Sequence, residues 1–107
     1  LKVKGTLVNL EDCAVLLGSM PEVEEWQIEL RKKDDDPLEV DEMTVHLALR
    51  TGSVPETAAA RVRELFHTRL ELTPNHVEFL GLEPMLRKIG METEMKEKRF
   101  VDSRPRA

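Results

Sequence analysis

The sequence has only one cysteine, Cys13, and therefore cannot form an internal disulfide bond. It also lacks an apolar run near the roughly 20 residues that a membrane-spanning helix needs. A Gly-rich phosphate loop ahead of Lys-Ser or Lys-Thr is missing, and so is the paired Cys-x-x-Cys of a structural zinc site. These absences exclude a disulfide-linked scaffold, a P-loop nucleotide enzyme and a cysteine-rich zinc domain.

The single cysteine falls on the apolar face of a predicted helix. We expect Cys13 to be a small buried hydrophobic residue there rather than a nucleophile. A free thiol is compatible with a reducing compartment, so we expect a cytoplasmic protein. We expect no membrane partner, because 35% of the residues are charged and no long apolar run is present. The chain does not begin with Met, and its first residues read like the middle of a strand. We therefore expect it to be part of a longer protein.

Positive charge is scarce overall but concentrated near one end. The 107 residues carry a net charge of −5, which argues against a nucleic-acid partner, since such partners usually need a basic face. Residues 87–106 carry seven basic and four acidic side chains, or +3, while the remainder carries nine basic and seventeen acidic ones, or −8. The basic tail suggests contact with an anion such as phosphate, and a solvated tail is the alternative.

With 107 residues, 40% of them apolar, the chain is long enough and apolar enough for one domain. Alternation and helical periodicity predict six secondary-structure elements. The order is strand, helix, strand, strand, helix, strand. We expect a ferredoxin-like α+β fold with a small antiparallel sheet and both helices on one face. Residues 81–107 have little periodicity and should form a surface segment with few contacts, partly mobile. The predicted strands cover residues 2–8, 25–32, 42–50 and 76–80, and the predicted helices cover residues 10–19 and 55–70.

Local signals support these boundaries. Trp26, Ile28 and Leu30 alternate with polar residues, which is typical of a half-buried strand. Asn9 can cap the first helix with its side-chain oxygen, and Pro55 suits the first position of the second helix.

The three histidines show no metal-binding spacing. We expect His46 to be solvated on the polar face of a strand and His67 to lie on a helix surface or at an interface. His76 and Glu78 match only half of a zinc-deaminase signature, whose cysteine half is absent, so we interpret the match as chance.

The first eight residues, LKVKGTLV, resemble the strand that opens the C-terminal domain of adenylate-forming enzymes, usually Ile-Lys-Val-Arg-Gly. In the phenylacetate-CoA ligase branch, the Gly precedes x-Asn-Val-Phe-Pro-Ser and a helix with Ile-Glu. Gly5, Val8 and the following helix match this pattern. The departures are Asn9 and Leu10 in place of Phe-Pro, and Cys13 and Ala14 in place of Ile-Glu.

Residues 95–104, MKEKRFVDSR, resemble the C-terminal end of the same family, where Gly-Lys precedes x-x-Arg, two apolar residues, Asp and a basic pair. Lys96 falls on the family's catalytic lysine, Thr93 on the Ser or Thr before it, and Arg99 on the following Arg. Met95 replaces the usual Gly, and Glu92 replaces a usual Arg. The two motifs bracket nearly the whole chain.

The resemblance implies a C-terminal lid domain, with a core over residues 1–86 and a catalytic tail over residues 87–107. It implies the conversion of a carboxylic acid and ATP to an acyl-adenylate, then to a coenzyme A thioester. ATP and Mg²⁺ would bind mainly to an N-terminal domain of the same polypeptide, across a hinge at or just before Leu1. Lys96 would act in the first step, supported by Thr93 and Arg99.

The resemblance also implies that Lys4, Gly5 and Thr6 face the coenzyme A channel in the second step. The isolated 107-residue domain should then be inactive. One alternative is an enzyme that adenylates its substrate but forms no thioester. Another is a non-catalytic regulatory module of the same strand and helix order, which would bind a small ligand or dimerise through its sheet.

Overall fold

The computed structural model describes residues 2–90 and 99–105. Its strands and helices alternate in a mixed α+β order. The strands are β1 (Lys2–Val3), β2 (Thr6–Leu7), β3 (Val23–Lys32), β4 (Asp41–Leu49), β5 (His76–Phe79) and β6 (Phe100–Asp102), and the helices are α1 (Leu10–Gly18), α2 (Pro55–Leu70) and α3 (Leu82–Lys88).

Strands β3 to β6 form one sheet in the order β5-β4-β3-β6. The central pair, β3 and β4, is an antiparallel hairpin whose register places Trp26 opposite Leu47 and Lys32 opposite Asp41. β5 runs parallel to β4, and β6 runs parallel to β3. The charged connection between β3 and β4 includes a short 3₁₀ turn at Lys33–Asp35.

One face of this sheet carries the main core. Alternate residues of β3 and β4 point to that face and are fully or nearly fully buried against α1 and α2. The two helices also contact each other. The predicted α+β class, with these two helices on one face of a small sheet, is confirmed. The buried strand residues of this face are Trp26, Ile28, Leu30, Met43, Val45 and Leu47.

The opposite face is partly covered by α3, an element missed from the sequence. Met85 and Ile89 are fully buried there against Ala48. The Gln27 side chain donates a hydrogen bond to the Lys88 carbonyl at 3.2 Å. Pro84 is the third residue of α3, and proline is tolerated in a first helical turn because the amide it lacks has no partner there.

Three expectations about strands and tail are wrong in detail. Residues 2–8 do not join the main sheet but form a separate antiparallel hairpin, β1-β2, because the chain reverses at Lys4 and Gly5. The main sheet is mixed rather than wholly antiparallel, since both of its outer strands run parallel to their neighbours. The tail is not contact-poor throughout, since α3 and β6 both pack against β3. The expected mobility also concerns residues 91–98 and 106–107, which lie outside the described residues.

The predicted helix signals are confirmed. Asn9 accepts a hydrogen bond from the Glu11 amide at 2.9 Å, and Pro55 is the first residue of α2. Cys13 is fully buried, as expected. Within residues 2–90 and 99–105, none of the helices combines the length and the apolar character needed to cross a bilayer.

Candidate functional site

The β1-β2 hairpin is closed by a two-residue turn. Lys4 and Gly5 both have positive φ angles, 52° and 77°, between the paired residues Val3 and Thr6. Two successive positive φ values define the type I′ turn, the geometry that best matches the twist of a tight hairpin. Gly5 adopts its angle without strain, whereas Lys4 sits in a conformation uncommon for residues with a side chain.

The turn is fixed to the rest of the domain through Lys4. Its backbone amide donates a hydrogen bond to Asp41 Oδ2 at 2.9 Å, and its Nζ donates to the Thr73 carbonyl at 3.1 Å. Desolvation lowers the pKa of Lys4, and the nearby charges of Glu42 and Asp41 offset this only in part. Both ends of this residue are therefore held by partners distant in sequence.

The Asp41 carboxylate is contacted by two cations and by a backbone amide. Besides the Lys4 amide, it contacts Lys32 Nζ at 2.7 Å and Arg104 Nη1 at 3.4 Å. Burial acts to raise the pKa of Asp41, but the hydrogen bonds from Lys32 and Lys4 and the charges of Lys32 and Arg104 hold it below its usual value. The carboxylate therefore stays ionised at neutral pH and accepts contacts from the β1-β2 turn, from the end of β3 and from the segment after β6.

Arg104 brings the end of the described tail to the same place. Its Nη1 donates to the Lys2 carbonyl at 2.8 Å, and its guanidinium also holds both carboxylate oxygens of Asp102, at 2.9 and 2.7 Å. The hydrogen bond to Asp102 is the main reason why the pKa of Arg104 is raised. The guanidinium thus bridges β1, Asp41 and the residue that ends β6.

Arg99 anchors the other end of the same segment. Its Nη1 donates to the Trp26 carbonyl at 3.0 Å, and its Nη2 lies 2.6 Å from Glu25 Oε2. The guanidinium carbon sits 5.0 Å from the centroid of the Trp26 ring, within cation–π distance. Phe100 packs edge-on against the same ring, with centroids 5.4 Å apart. Arg99 therefore anchors the segment that contains β6 to strand β3.

The residues predicted for the site are only partly brought together. Lys4, Gly5 and Thr6 lie in one hairpin, and the segment from Arg99 to Arg104 runs beside β3 and reaches that hairpin. Thr93 and Lys96 lie outside the described residues.

Sequence reasoning missed Asp41, Lys32 and Arg104. A usable signal was present, because the hairpin register implied by the alternation in β3 and β4 places Lys32 directly opposite Asp41. The long-range approach of Arg104 had no such signal.

His46 also differs from expectation: it is 6% exposed rather than solvated, and its ring lies between Glu29 at 3.0 Å and Glu78 at 3.6 Å.

A depression of about 400 Å³ lies beside this cluster and is lined by Lys32, Asp102, Arg104 and Pro105. Both of its cations already contact carboxylates, so their charge is largely balanced within the domain. Among residues 2–90 and 99–105, no group of three His, Cys, Asp or Glu side chains is arranged to hold a metal ion.

The chain is similar in fold to a solved structure, a domain of phenylacetate-coenzyme A ligase from Bacteroides vulgatus ATCC 8482. The superposition has a TM-score of 0.74 and covers 98% of this chain and 92% of that one, with 16% sequence identity. At this identity the likeness establishes a shared fold. No protein-family model and no curated protein sequence matches the chain.

Proposed function

We propose that this chain is the C-terminal domain of an AMP-forming acyl-CoA ligase of the phenylacetate-CoA ligase type. The observation that carries the proposal is the fold likeness to a domain of such a ligase over 98% of the chain. The opening and closing sequence motifs, residues 1–8 and 95–104, add to it, because both resemble the same family. The partner would be an N-terminal domain of the same polypeptide, which would bind ATP, Mg²⁺ and the carboxylic acid.

Lys96 would act in the first step. A carboxylate oxygen attacks the α-phosphorus of ATP, pyrophosphate leaves, and an acyl-adenylate forms. Negative charge accumulates where the two anions meet, and a compact ammonium placed there stabilises the transition state. Thr93 and Arg99 would support the lysine segment. Arg99 follows Lys96 by three residues in the sequence, and its guanidinium contacts Glu25 and the Trp26 carbonyl in β3. This geometry fits such support.

The Lys4–Gly5 turn would act in the second step, in which the thiol sulfur of coenzyme A attacks the acyl carbon and AMP leaves. Among the described residues, none outside the immediate chain neighbours comes within 4 Å of where a Cβ on Gly5 would lie. The surface above the turn is therefore open to an extended ligand or to another domain. A pantetheine arm, with Lys4 and Thr6 flanking it, would fit this surface.

The two steps need two orientations of the small domain, since the Lys96 segment and the Lys4–Gly5 turn are separate parts of it. A hinge at or just before Leu1 would allow the rotation.

The test is a pair of assays on the full-length protein with a panel of aliphatic and aromatic carboxylic acids. Acid-dependent exchange of pyrophosphate into ATP reports adenylation, and coenzyme A consumption reports thioester formation. Activity in both assays with at least one acid supports the proposal. Exchange without coenzyme A consumption would instead identify an enzyme that adenylates but uses another acceptor.

The isolated 107-residue chain provides a second arm. It should bind ATP-Mg²⁺ no more tightly than the millimolar range, about 4 kcal/mol in free energy, because the nucleotide would belong to the other domain. A micromolar site on the isolated chain, with no activity of the full-length protein in either assay, would favour a regulatory ligand-binding module.

A further inference from the structure

The β1-β2 hairpin is too small to fix its own position. Each strand has two residues, and an isolated two-stranded hairpin is at best marginally stable in water. Its orientation must therefore come from contacts with the rest of the domain. Apart from the buried Val3, those contacts include two polar attachments of Lys4 and the Arg104 contact to Lys2.

Asp41 is the acceptor that fixes the tip of the hairpin. Its carboxylate binds the Lys4 amide itself, so it restrains the backbone of the turn rather than a flexible side-chain end. The turn consists of two residues with positive φ, and a restraint on the first residue also sets the direction of Gly5.

The acceptor is itself immobilised. Lys32 is paired with Asp41 in the β3-β4 hairpin, and its Nζ contacts Oδ1 of Asp41. Arg104 approaches Oδ2, the oxygen that accepts the hydrogen bond from the Lys4 amide. The Asp41 side chain is 11% exposed. Charge-assisted hydrogen bonds of a partly buried carboxylate are stronger and more directional than neutral ones.

From this geometry we infer that Asp41 is a positioning residue for thioester formation: it holds the Lys4–Gly5 turn in the orientation in which Gly5 faces the coenzyme A arm. The inference rests on the proposed function. It predicts that Asp41 matters when the hairpin faces the active site, and not when the Lys96 segment does. Arg104 assists by tying Lys2 to the same carboxylate.

The test uses the full-length protein with Asp41→Ala, which removes the acceptor. Thioester formation from supplied acyl-adenylate should fall roughly tenfold or more, the scale of one lost charge-assisted hydrogen bond. Adenylation, measured by pyrophosphate exchange, should stay within about twofold of the wild-type rate. Asp41→Asn keeps an oxygen for the Lys4 amide but loses the charge, so its thioester rate should be intermediate. This second variant also preserves the test if Asp41→Ala fails to fold.

Asp34→Asn is the matched control, because it removes the same charge from an exposed position in the connection that precedes β4, seven residues before Asp41. It should leave both half-reactions unchanged. Equal losses in both half-reactions for the Asp41 variants would mean that Asp41 only maintains the fold, and unchanged rates in both would mean that the turn does not depend on it. Either result overturns the inference while leaving the proposed function intact. A wild-type protein inactive in both assays would overturn the proposed function as well.

Discussion

The guanidinium of Arg99 lies over the indole ring of Trp26, with 5.0 Å between the guanidinium carbon and the ring centroid. The same guanidinium donates to the Trp26 carbonyl and contacts Glu25. One side chain therefore joins the start of the segment that contains β6 to the middle of β3.

Arg99→Ala should destabilise the domain by about 2 kcal/mol, the range for a hydrogen bond to a charged group, because Glu25 would also lose its partner. Arg99→Lys should fall between this variant and the wild type, since one ammonium cannot reproduce a planar fork stacked on a ring. Urea unfolding of the 107-residue chain measures both effects. Arg63→Ala, at an exposed position of α2, is the control. Equal midpoints for Arg99→Ala and Arg63→Ala would refute the anchoring role.

Gly5→Asn should separate folding from function. Asparagine tolerates positive φ better than other residues with side chains, and the open space around Gly5 accepts its atoms, so stability should change by less than about 1 kcal/mol. In the full-length protein the new side chain would obstruct the coenzyme A arm, and thioester formation should fall roughly tenfold or more.

Gly52→Asn is the matched control for this substitution. Gly52 also has a positive φ, 90°, and open space around it, but it lies in the loop between β4 and α2. It should leave the thioester rate unchanged. Similar losses for both glycine variants would argue that the Lys4–Gly5 turn has no special place in the reaction.

The stability contributed by Asp41 should depend on pH with a definite sign. Because the pKa of Asp41 is lowered in the folded state, its contribution is complete above the unfolded pKa, about 3.9, and is lost as the pH falls through the folded value. Asp41→Asn should therefore destabilise the chain more at pH 7 than at pH 3. Urea unfolding at the two pH values measures the difference. A larger effect at pH 3 would contradict the ion-pair geometry.

Cys13 should react slowly in the native chain. Desolvation, helped by the neighbouring charge of Asp12, raises the pKa of Cys13 to about 11, and the side chain is fully buried. The thiolate is the reactive form. A pKa of about 11, against an ordinary value of about 9, leaves about a hundredfold less thiolate at a given pH. A chromogenic disulfide reagent at pH 8 should label the unfolded chain at least about a hundred times faster than the native one. Comparable rates would show that α1 opens readily.

The elements with strong local signals could be predicted from the sequence. α2 spans Pro55–Leu70, matching the prediction, because a proline at its first position and a regular apolar stripe act together. The β3-β4 hairpin could also be predicted, because Trp26, Ile28 and Leu30 alternate with polar residues and a second strand is predicted over residues 42–50. The sheet face that receives α1 and α2 follows from the same pattern.

The missed features depend on tertiary structure or on a turn. Gly5 was noted, but the reversal at Lys4 was not, because lysine rarely adopts a positive φ. β6 has three residues, and its pairing with β3 joins positions about seventy apart, for which no local pattern exists. For α3, the spacing of Met85 and Ile89 is a helical signal, but Pro84 and the surrounding charges obscure it.

The candidate site shows the same division. The motifs drew attention to Lys4, Gly5 and Arg99, whereas the contacts that hold them, through Asp41 and Trp26, became apparent only from the fold.

The measurement that tests the central claim most directly compares both half-reactions of the full-length protein with Lys96→Ala. Loss of one well-placed charge should slow acyl-adenylate formation by about a hundred- to a thousandfold. Thioester formation from supplied adenylate should change little, because the lysine would be turned away from the site in that step. Lys98→Ala, which removes an equal charge two residues away, is the control and should have a much smaller effect. Equal losses in both half-reactions for Lys96→Ala, or no loss in either, would contradict the assignment of this chain as the catalytic lid of an AMP-forming ligase.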